Sequence, residues 1–388
     1  MEGCMKNKYG KIPADSGLVR LRNMGMSRRQ FGKSILGSAV AGMTIGLPLR
    51  ASAATGISYM GWQGYDDAAK VGGFLESNDM YLDITYMESQ EMLYTAHGSG
   101  GRGNLDLSTP VDFHMPYMVA AGLWEPLDMS LIPNISEMFP DFIDMPNLNI
   151  DGKSYGVPFA WGSLPLMYNA DVIKEAPTSW WDLMDPKYKG KATVTEDSTG
   201  VLMTFAMMAT GTRTPWNLTK EMAEKTLELM IKFKKEQALT IAPGYGELVG
   251  LLASGEVVIC QGWEPVSQWT GEDSPPIKWA YPKEGVVNFV DTYAIFADAP
   301  NIELDHKILN HVISAEAQAA NAEMNACAVT NKNAVGLLTD TTRAFYPYDD
   351  VAGWFERAGG HYSMFPEDHA EYLSYDQLLE YWEDFLKA

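Results

Sequence analysis

The chain has 388 residues, of which 46% are hydrophobic and 20% are charged. This composition is typical of globular proteins and excludes a fibrous or disordered chain. Because single cores rarely grow beyond about 250–300 residues, the length favours two domains. The 50 acidic residues outnumber the 29 lysines and arginines, which gives a net charge of -21. Such a charge argues against nucleic acid as a partner, since phosphate binding requires a basic surface.

The first 53 residues carry a different charge from the rest of the chain. They hold nine lysines and arginines and two acids, whereas the remaining residues hold 20 basic and 48 acidic side chains. The basic segment contains Ser27-Arg28-Arg29-Gln30-Phe31, followed by an apolar stretch over 35–49 and then Ala51-Ser52-Ala53. This order predicts a cleavable twin-arginine signal peptide over 1–53 and a periplasmic location. A membrane anchor is disfavoured because spanning a bilayer takes about 20 apolar residues.

Strands and helices alternate in the first part of the mature chain. Strands are predicted over 57–60, 82–86 and 105–109, and helices over 68–75, 91–96 and 110–123. The alternation predicts an α/β protein with a mainly parallel sheet. A G-x-G-x-x-G pattern over 98–103 follows a helix and precedes a strand. We interpret it as a loop, because dinucleotide sites have the opposite order.

The same alternation continues to the C-terminus. Strands are predicted over 191–195, 257–261 and 291–296, and helices from about 200, 218, 245, 305 and 314. Asp197 or Ser198 is expected to cap the helix that begins near residue 200. Ser374 and Gln377 form a capping box that opens the last helix.

Motifs of common enzyme chemistry are missing from the sequence. There is no P-loop, HExxH, GxSxG or EF-hand pattern, and the six histidines lack the spacing of metal ligands. Cys260 ends an apolar strand and Cys327 lies in a loop, and the sequence leaves their pairing open. We therefore predict neither an enzyme nor a cofactor or metal site, with an exported enzyme as the alternative class.

Aromatic and acidic side chains follow the predicted strands of both halves. In open α/β sheets, ligands bind at the carboxyl ends of the strands. Each residue also has a structural interpretation, as a half-buried core residue or a helix cap. Their shared position favours a ligand site. The residues concerned are Trp62, Tyr65, Phe113, Trp263, Glu264, Phe289, Asp291 and Tyr293.

A set of local motifs occurs in a fixed order along the mature chain. They are Gly61-Trp62-Gln63-Gly64-Tyr65, the run over 86–92, Gly156-Val157-Pro158-Phe159, Ser179-Trp180-Trp181-Asp182-Leu183, Asp185-Pro186-Lys187-Tyr188, the run over 255–263 and the run over 282–291. In this order, the chain resembles the periplasmic solute-binding proteins of polyamine-type (spermidine/putrescine) ABC importers. The resemblance extends over nearly the whole mature chain.

The resemblance implies the architecture. It predicts a two-lobed periplasmic binding protein of type II, in which each lobe is a mainly parallel sheet flanked by helices and the ligand cleft lies between the lobes. Lobe one is expected to comprise 55–160 and 290–326. Lobe two is expected to comprise 163–288 and 330–388.

The resemblance also implies the function and the site. The protein is expected to capture a small organic cation of the putrescine or spermidine kind and to deliver it to the membrane permease, as a monomer and without a cofactor. Aromatic faces would cover the methylene chain of the ligand, and carboxylates would meet its ammonium groups. Asp291 is the expected ammonium partner. The predicted ligand-binding residues are Trp62, Gln63, Tyr65, Phe113, Asp197, Trp263, Glu264, Phe289 and Asp291.

Four positions depart from the pattern of the polyamine binders. Gly64 and Gly200 stand at positions of acids, Phe289 replaces a tryptophan, and Cys327 replaces a tyrosine. Fewer acids suggest a smaller ligand, either putrescine or a betaine- or choline-like monocation. An anionic ligand would need arginines in the cleft, and the mature arginines lie outside the motifs. The acidity of the mature chain would steer cations to the surface, but adaptation to a saline habitat explains it equally well.

Overall fold

The computed structural model describes residues 54–87, 90–271, 273–358, 365 and 369–388. The predicted signal peptide over 1–53 and the motif residues Glu88 and Ser89 lie outside the described residues. Across the described ranges, no helix combines the length and the apolar character needed to cross a membrane.

Twelve strands of the described chain form two larger sheets and a hairpin. The first sheet has six strands in the order β12-β6-β11-β3-β1-β2, and the second has four in the order β10-β7-β9-β8. Strands β4 and β5 form the separate hairpin. In chain order, the strands are β1 (Thr55–Gly61), β2 (Met80–Tyr86), β3 (Leu107–Ser108), β4 (Asn149–Ile150), β5 (Lys153–Ser154), β6 (Val157–Leu164), β7 (Leu166–Asn169), β8 (Ala192–Thr193), β9 (Ile259–Gln261), β10 (Ile277–Ala280), β11 (Val287–Ile295) and β12 (Ala328–Val329).

The α/β class is confirmed, but the prediction of mainly parallel sheets is wrong. In the first sheet, β1 pairs in parallel with β2 and β3, whereas the β11–β3, β11–β6 and β12–β6 pairs are antiparallel. In the second sheet, β8 and β9 are parallel, and β7 is antiparallel to both β9 and β10. The reason is that β6 runs directly on into β7 of the other sheet, and β11 returns beside β6 in the opposite direction.

Several of the longer helices begin at capped positions. Thr219, Ser314 and Ser374 each accept a hydrogen bond from the backbone of the first turn of the helix that follows, which satisfies amide groups that a helix end leaves unpaired. The capping box of Ser374 and Gln377 is confirmed. The helices are Asp67–Lys70, Phe74–Ser77, Glu91–Ala96, Met115–Ala120, Pro140–Ile143, Ser198–Thr210, Lys220–Glu236, Tyr245–Ser254, Val266–Trp269, Ile302–Val312, Ala315–Asn325, Asp340–Arg343, Val351–Ala358 and Tyr375–Lys387.

Several predicted elements differ from those observed. The helix over 68–75 is interrupted at Gly72 and Gly73, whose φ angles are 66° and 67°. The helix over 110–123 is a 3-10 turn at Asp112–His114 followed by Met115–Ala120. The strand over 291–296 begins earlier, at Val287. The sequence had suggested that Phe289 and Asp291 follow a strand. In the structure both residues lie within β11.

Candidate functional site

The first part of the site is the turn that follows β1. The Thr109 hydroxyl accepts a hydrogen bond from the Trp62 amide at 3.0 Å, and the Tyr65 amide donates to the Trp62 carbonyl at 3.3 Å. The buried Tyr65 then donates its hydroxyl to Asp291 Oδ2 at 2.6 Å. The turn thus brings the predicted residues Trp62 and Tyr65 to the carboxylate that the sequence favours as the ammonium partner.

Asp291 is a buried carboxylate whose charge is poorly compensated. Asp291 is only 4% exposed, and this burial raises the pKa of its carboxyl group to about 8. Hydrogen bonds from Tyr65 and Trp62 lower the pKa of Asp291, while the nearby charge of Asp112 raises it. Asp112 is itself buried, which raises its pKa to about 7 although it accepts bonds from the Val290 amide and from Asn147.

The second part of the site surrounds Gly162 on β6. Gly162 lies opposite Phe289 on β11. A Cβ atom at residue 162 would be 3.0 Å from the Phe289 ring, 3.1 Å from Trp263 Nε1 and 3.5 Å from Glu264 Oε2. The Trp263 and Phe289 rings meet edge to face, with centroids 6.1 Å apart. The missing side chain of Gly162 therefore lets two predicted aromatic residues and one predicted acid converge.

Glu264 supplies the second buried carboxylate. It is fully buried and accepts hydrogen bonds from the Ser163 hydroxyl and from the Ser163 amide at 3.3 Å. Tyr281 donates to the same group at 3.4 Å. Burial raises the pKa of Glu264 to about 7, in spite of these bonds. Its ionisation is therefore sensitive to any cation that enters the site.

Tyr245 is a residue of this region that the sequence analysis missed. It opens the helix Tyr245–Ser254, and its ring centroid is 6.1 Å from that of Trp263. Burial raises its pKa well above its ordinary value, and the carboxylates that raise it further include Asp197, Glu264 and Asp291. Tyr245 thus lies near all three predicted acids. A single tyrosine after a glycine gives no sequence signal of this role.

The remaining predicted residues have different surroundings. Asp197 caps the helix Ser198–Thr210 by accepting the Gly200 amide at 2.9 Å. Phe113 is buried and meets Phe365 edge to face at 6.3 Å. Phe365 packs against the same small apolar cluster as Trp263 and Phe289. Gln63 is exposed. Its predicted contact with the ligand stays a prediction.

The carboxylates of the site lack basic neighbours within the part of the chain that the structure describes. Among the described residues, no lysine or arginine forms an ion pair with Asp112, Glu264 or Asp291. Within the same ranges, no cluster of three or more acidic, histidine or cysteine side chains could hold a metal. Cys260 and Cys327 are buried free thiols. Buried carboxylates beside aromatic rings are the groups that a small organic cation would need.

The two glycines at acid positions of the polyamine binders leave no room for side chains. A Cβ atom on Gly64 would be 2.5 Å from Asn325 Oδ1, and its φ angle is 95°. At Gly200, a Cβ atom would be 2.3 Å from Leu164 and 2.4 Å from the Asp197 carboxylate. An acidic side chain at either position would therefore require its neighbours to move.

Comparison with known sequences identifies the family. The profile of the bacterial extracellular solute-binding proteins matches residues 72–343, which is most of the chain. The chain belongs to this family. The membership inferred from the motifs is confirmed, and so is the two-lobed type II fold.

Three relatives of this solute-binding protein illustrate the similarity. It is 26% identical over 254 residues to spermidine/putrescine-binding periplasmic protein 1 of Haemophilus influenzae, covering 65% of this chain and 69% of the relative. It is 23% identical over 342 residues to the putrescine-binding periplasmic protein SpuD of Pseudomonas aeruginosa, covering 83% and 92%. The solved structure of the spermidine/putrescine substrate-binding protein PotD from Streptococcus pneumoniae superposes with a TM-score of 0.68 at 20% identity, over 86% of this chain and 98% of that one.

The Gly64→Asp variant of this solute-binding protein is expected to be less stable than the parent. An aspartate must adopt a left-handed backbone, at a cost of about 1–2 kcal/mol, and must also displace Asn325. Thermal unfolding measures the loss. Gly152→Asp is the matched control, because Gly152 has a φ angle of 74° and no atom within 4 Å of its Cβ position. Equal losses in the two variants would contradict the steric argument.

Proposed function

We propose that this protein is the solute-binding component of an ABC importer and that it captures a small organic cation in the cleft between its lobes. The observation that carries the proposal is the pair of buried carboxylates, Asp291 and Glu264, which lie beside aromatic rings and form no ion pair with any described basic side chain. A buried charge without a partner is costly to the fold. A cationic ligand removes that cost when it binds.

The chemistry of the site fits an amine. An ammonium group that bonds to a carboxylate forms a charge-assisted hydrogen bond, about twice as strong as a neutral one. The same group over a desolvated aromatic face gains up to about 2 kcal/mol. Trp62 and Tyr65 stand beside Asp291, whereas Trp263 and Phe289 stand beside Glu264. The two carboxylates therefore suit the two ends of a short diamine such as putrescine.

The wider role follows from the relatives and from the sequence. The named relatives bind spermidine or putrescine and are periplasmic, which supports a periplasmic location here. We propose export by the twin-arginine signal over 1–53, delivery to a membrane permease, a monomeric state and no catalytic activity. The two lobes would close on the ligand through β6 and β11. Lobe one would comprise 55–160 with 290–326, and lobe two would comprise 163–288 with 330–388.

A binding screen tests the proposal. Purified protein is mixed with 1,4-diaminobutane, spermidine, choline, glycine betaine, glutamate and phosphate, and thermal unfolding is followed for each. A ligand at about 100 times its dissociation constant stabilises the folded state by about 2.7 kcal/mol, which raises Tm by a few degrees. We expect shifts with amines. Shifts restricted to the anions would overturn the proposal.

Gly162→Ala is expected to weaken binding of 1,4-diaminobutane by about tenfold. The added methyl group must push the Phe289 ring or the Trp263 indole aside, since both lie within 3.1 Å of its position. Overpacking of this kind costs about 1–3 kcal/mol. Calorimetric titration measures the dissociation constant. Gly250→Ala, on an open face of the helix Tyr245–Ser254, is the control and should leave affinity unchanged. Parental affinity in Gly162→Ala would contradict the placement of the site.

A further inference from the structure

The indole N–H of Trp263 is a buried donor without an acceptor. Among the described residues, Trp263 Nε1 has no hydrogen-bond partner. Two buried tryptophans elsewhere are satisfied, since Trp161 Nε1 donates to the Val329 carbonyl at 2.8 Å and Trp180 Nε1 to the Gly285 carbonyl at 2.7 Å. An indole N–H can only donate. The group that satisfies Trp263 must therefore bring a lone pair.

The unpaired donor lies inside the proposed cation site. Trp263 Nε1 and Glu264 Oε2 are 3.1 Å and 3.5 Å from one point, the Cβ position at Gly162. A donor and an acceptor therefore lie close together on the same side of Gly162. The Cβ position itself is one bond from the Gly162 Cα, so a ligand group would stand beside it, where it would be matched if it could accept from Trp263 and donate to Glu264.

The chemistry of this pair selects among terminal groups. A second ammonium group can donate to Glu264 but has no lone pair for Trp263. A carboxylate can accept from Trp263, but Glu264 and the neighbouring Asp197 and Asp291 would repel it. A hydroxyl group donates one hydrogen bond and accepts others, so it satisfies both protein atoms without a charge.

The spacing along β11 indicates the approximate length of the ligand. Phe289 lies opposite Gly162, and Asp291 is two residues further along the same strand. Two strand residues span about 6.5 Å, a distance that a chain of about four carbon atoms bridges. An ammonium group at Asp291 would then place a terminal hydroxyl group near Trp263 and Glu264.

We propose that the site is built for an amino alcohol of about four carbon atoms, with its ammonium group on Asp291 and its hydroxyl group between Trp263 Nε1 and Glu264. This inference rests on the proposed function, because it assigns the chemical class of the cation that the same cleft binds. It narrows that class from small organic cations in general to amines that carry a neutral hydrogen-bond acceptor.

Calorimetric titration with four ligands that each have four carbon atoms tests the proposal. The ligands are n-butylamine, 1,4-diaminobutane, 4-aminobutan-1-ol and 4-aminobutanoate. We expect 4-aminobutan-1-ol to bind most tightly, about tenfold more tightly than n-butylamine. Trp263→Phe keeps an aromatic ring and removes the N–H, so the hydroxyl advantage should fall to within about twofold.

The controls separate this inference from the proposed function. Trp124→Phe removes another buried indole N–H that lacks a partner, against Phe296 and outside the site, and should preserve the hydroxyl advantage. Cooperative thermal unfolding verifies that Trp263→Phe is folded, and the hydroxyl advantage is compared between ligands within that one variant. Tighter binding of 1,4-diaminobutane or 4-aminobutanoate than of 4-aminobutan-1-ol would overturn the inference. Failure of all the amines to bind would overturn the proposed function as well.

Discussion

Replacing Asp291 by asparagine is expected to weaken the binding of 1,4-diaminobutane by at least about 100-fold. The amide keeps the shape of the side chain and can still accept the Tyr65 hydroxyl, but it removes the negative charge. Loss of one member of a buried, hydrogen-bonded charge pair costs about 2–5 kcal/mol, and each 1.4 kcal/mol is tenfold in the dissociation constant. Calorimetric titration at pH 8.5 measures the change.

The ligand-free Asp291→Asn protein is expected to be more stable than the parent at the same pH. Burial raises the pKa of Asp291 to about 8, so at pH 8.5 many of the parent molecules contain a buried charge that no basic side chain of the described residues neutralises. The asparagine removes that cost, and Tm should rise by a few degrees. Weaker binding together with higher stability distinguishes a ligand-binding carboxylate from a structural one.

The control for both effects is Asp83→Asn. Asp83 is exposed on β2, and its replacement changes the net charge by the same amount. It should alter neither affinity nor stability appreciably, because exposed charges are well screened. A folded Asp291→Asn protein that binds 1,4-diaminobutane with parental affinity would show that Asp291 is not the ammonium partner.

Much of the fold was predictable because local signals and tertiary packing agree. The predicted helix over 91–96 matches the observed Glu91–Ala96, and the capping box at Ser374 opens the last helix as expected. Strand directions were not predictable. Alternation of strands and helices indicates parallel pairing, but the direction of β11 depends on its return beside β6, which no short-range pattern encodes.

The candidate site was predictable in composition and less so in arrangement. Asp291 and Tyr65 were both expected, yet their hydrogen bond joins residues 226 positions apart. The role of Gly162 depends on the absence of a side chain where rings from two other elements meet. Tyr245 was missed for a similar reason, since its nearness to the acids follows from the packing of a helix in the second half of the chain.

The affinity for 1,4-diaminobutane is expected to fall steeply as the pH is lowered from 8.5 to 6. Burial raises the pKa of Asp291 to about 8 and that of Glu264 to about 7. An ammonium group pairs with the ionised carboxylates, so binding releases the protons that the free site holds at low pH. Aliphatic amines titrate near pH 10.4 and stay protonated throughout this range. Each proton released lowers the affinity by up to about tenfold per pH unit.

The ligand-free protein should show a pH dependence of stability that arises from the same raised pKa values. A carboxyl group with a higher pKa in the folded than in the unfolded state binds its proton more tightly when folded. The contribution of Asp291 to stability is therefore complete below about pH 4 and is lost as the pH rises towards 8.

Calorimetry in buffers of different ionisation enthalpy counts the protons that the binding of 1,4-diaminobutane releases. In the pH dependence of the affinity, Glu264→Gln should remove the transition near pH 7 and leave the transition near pH 8. An affinity that is constant from pH 6 to 8.5 would mean that neither carboxylate meets the cation.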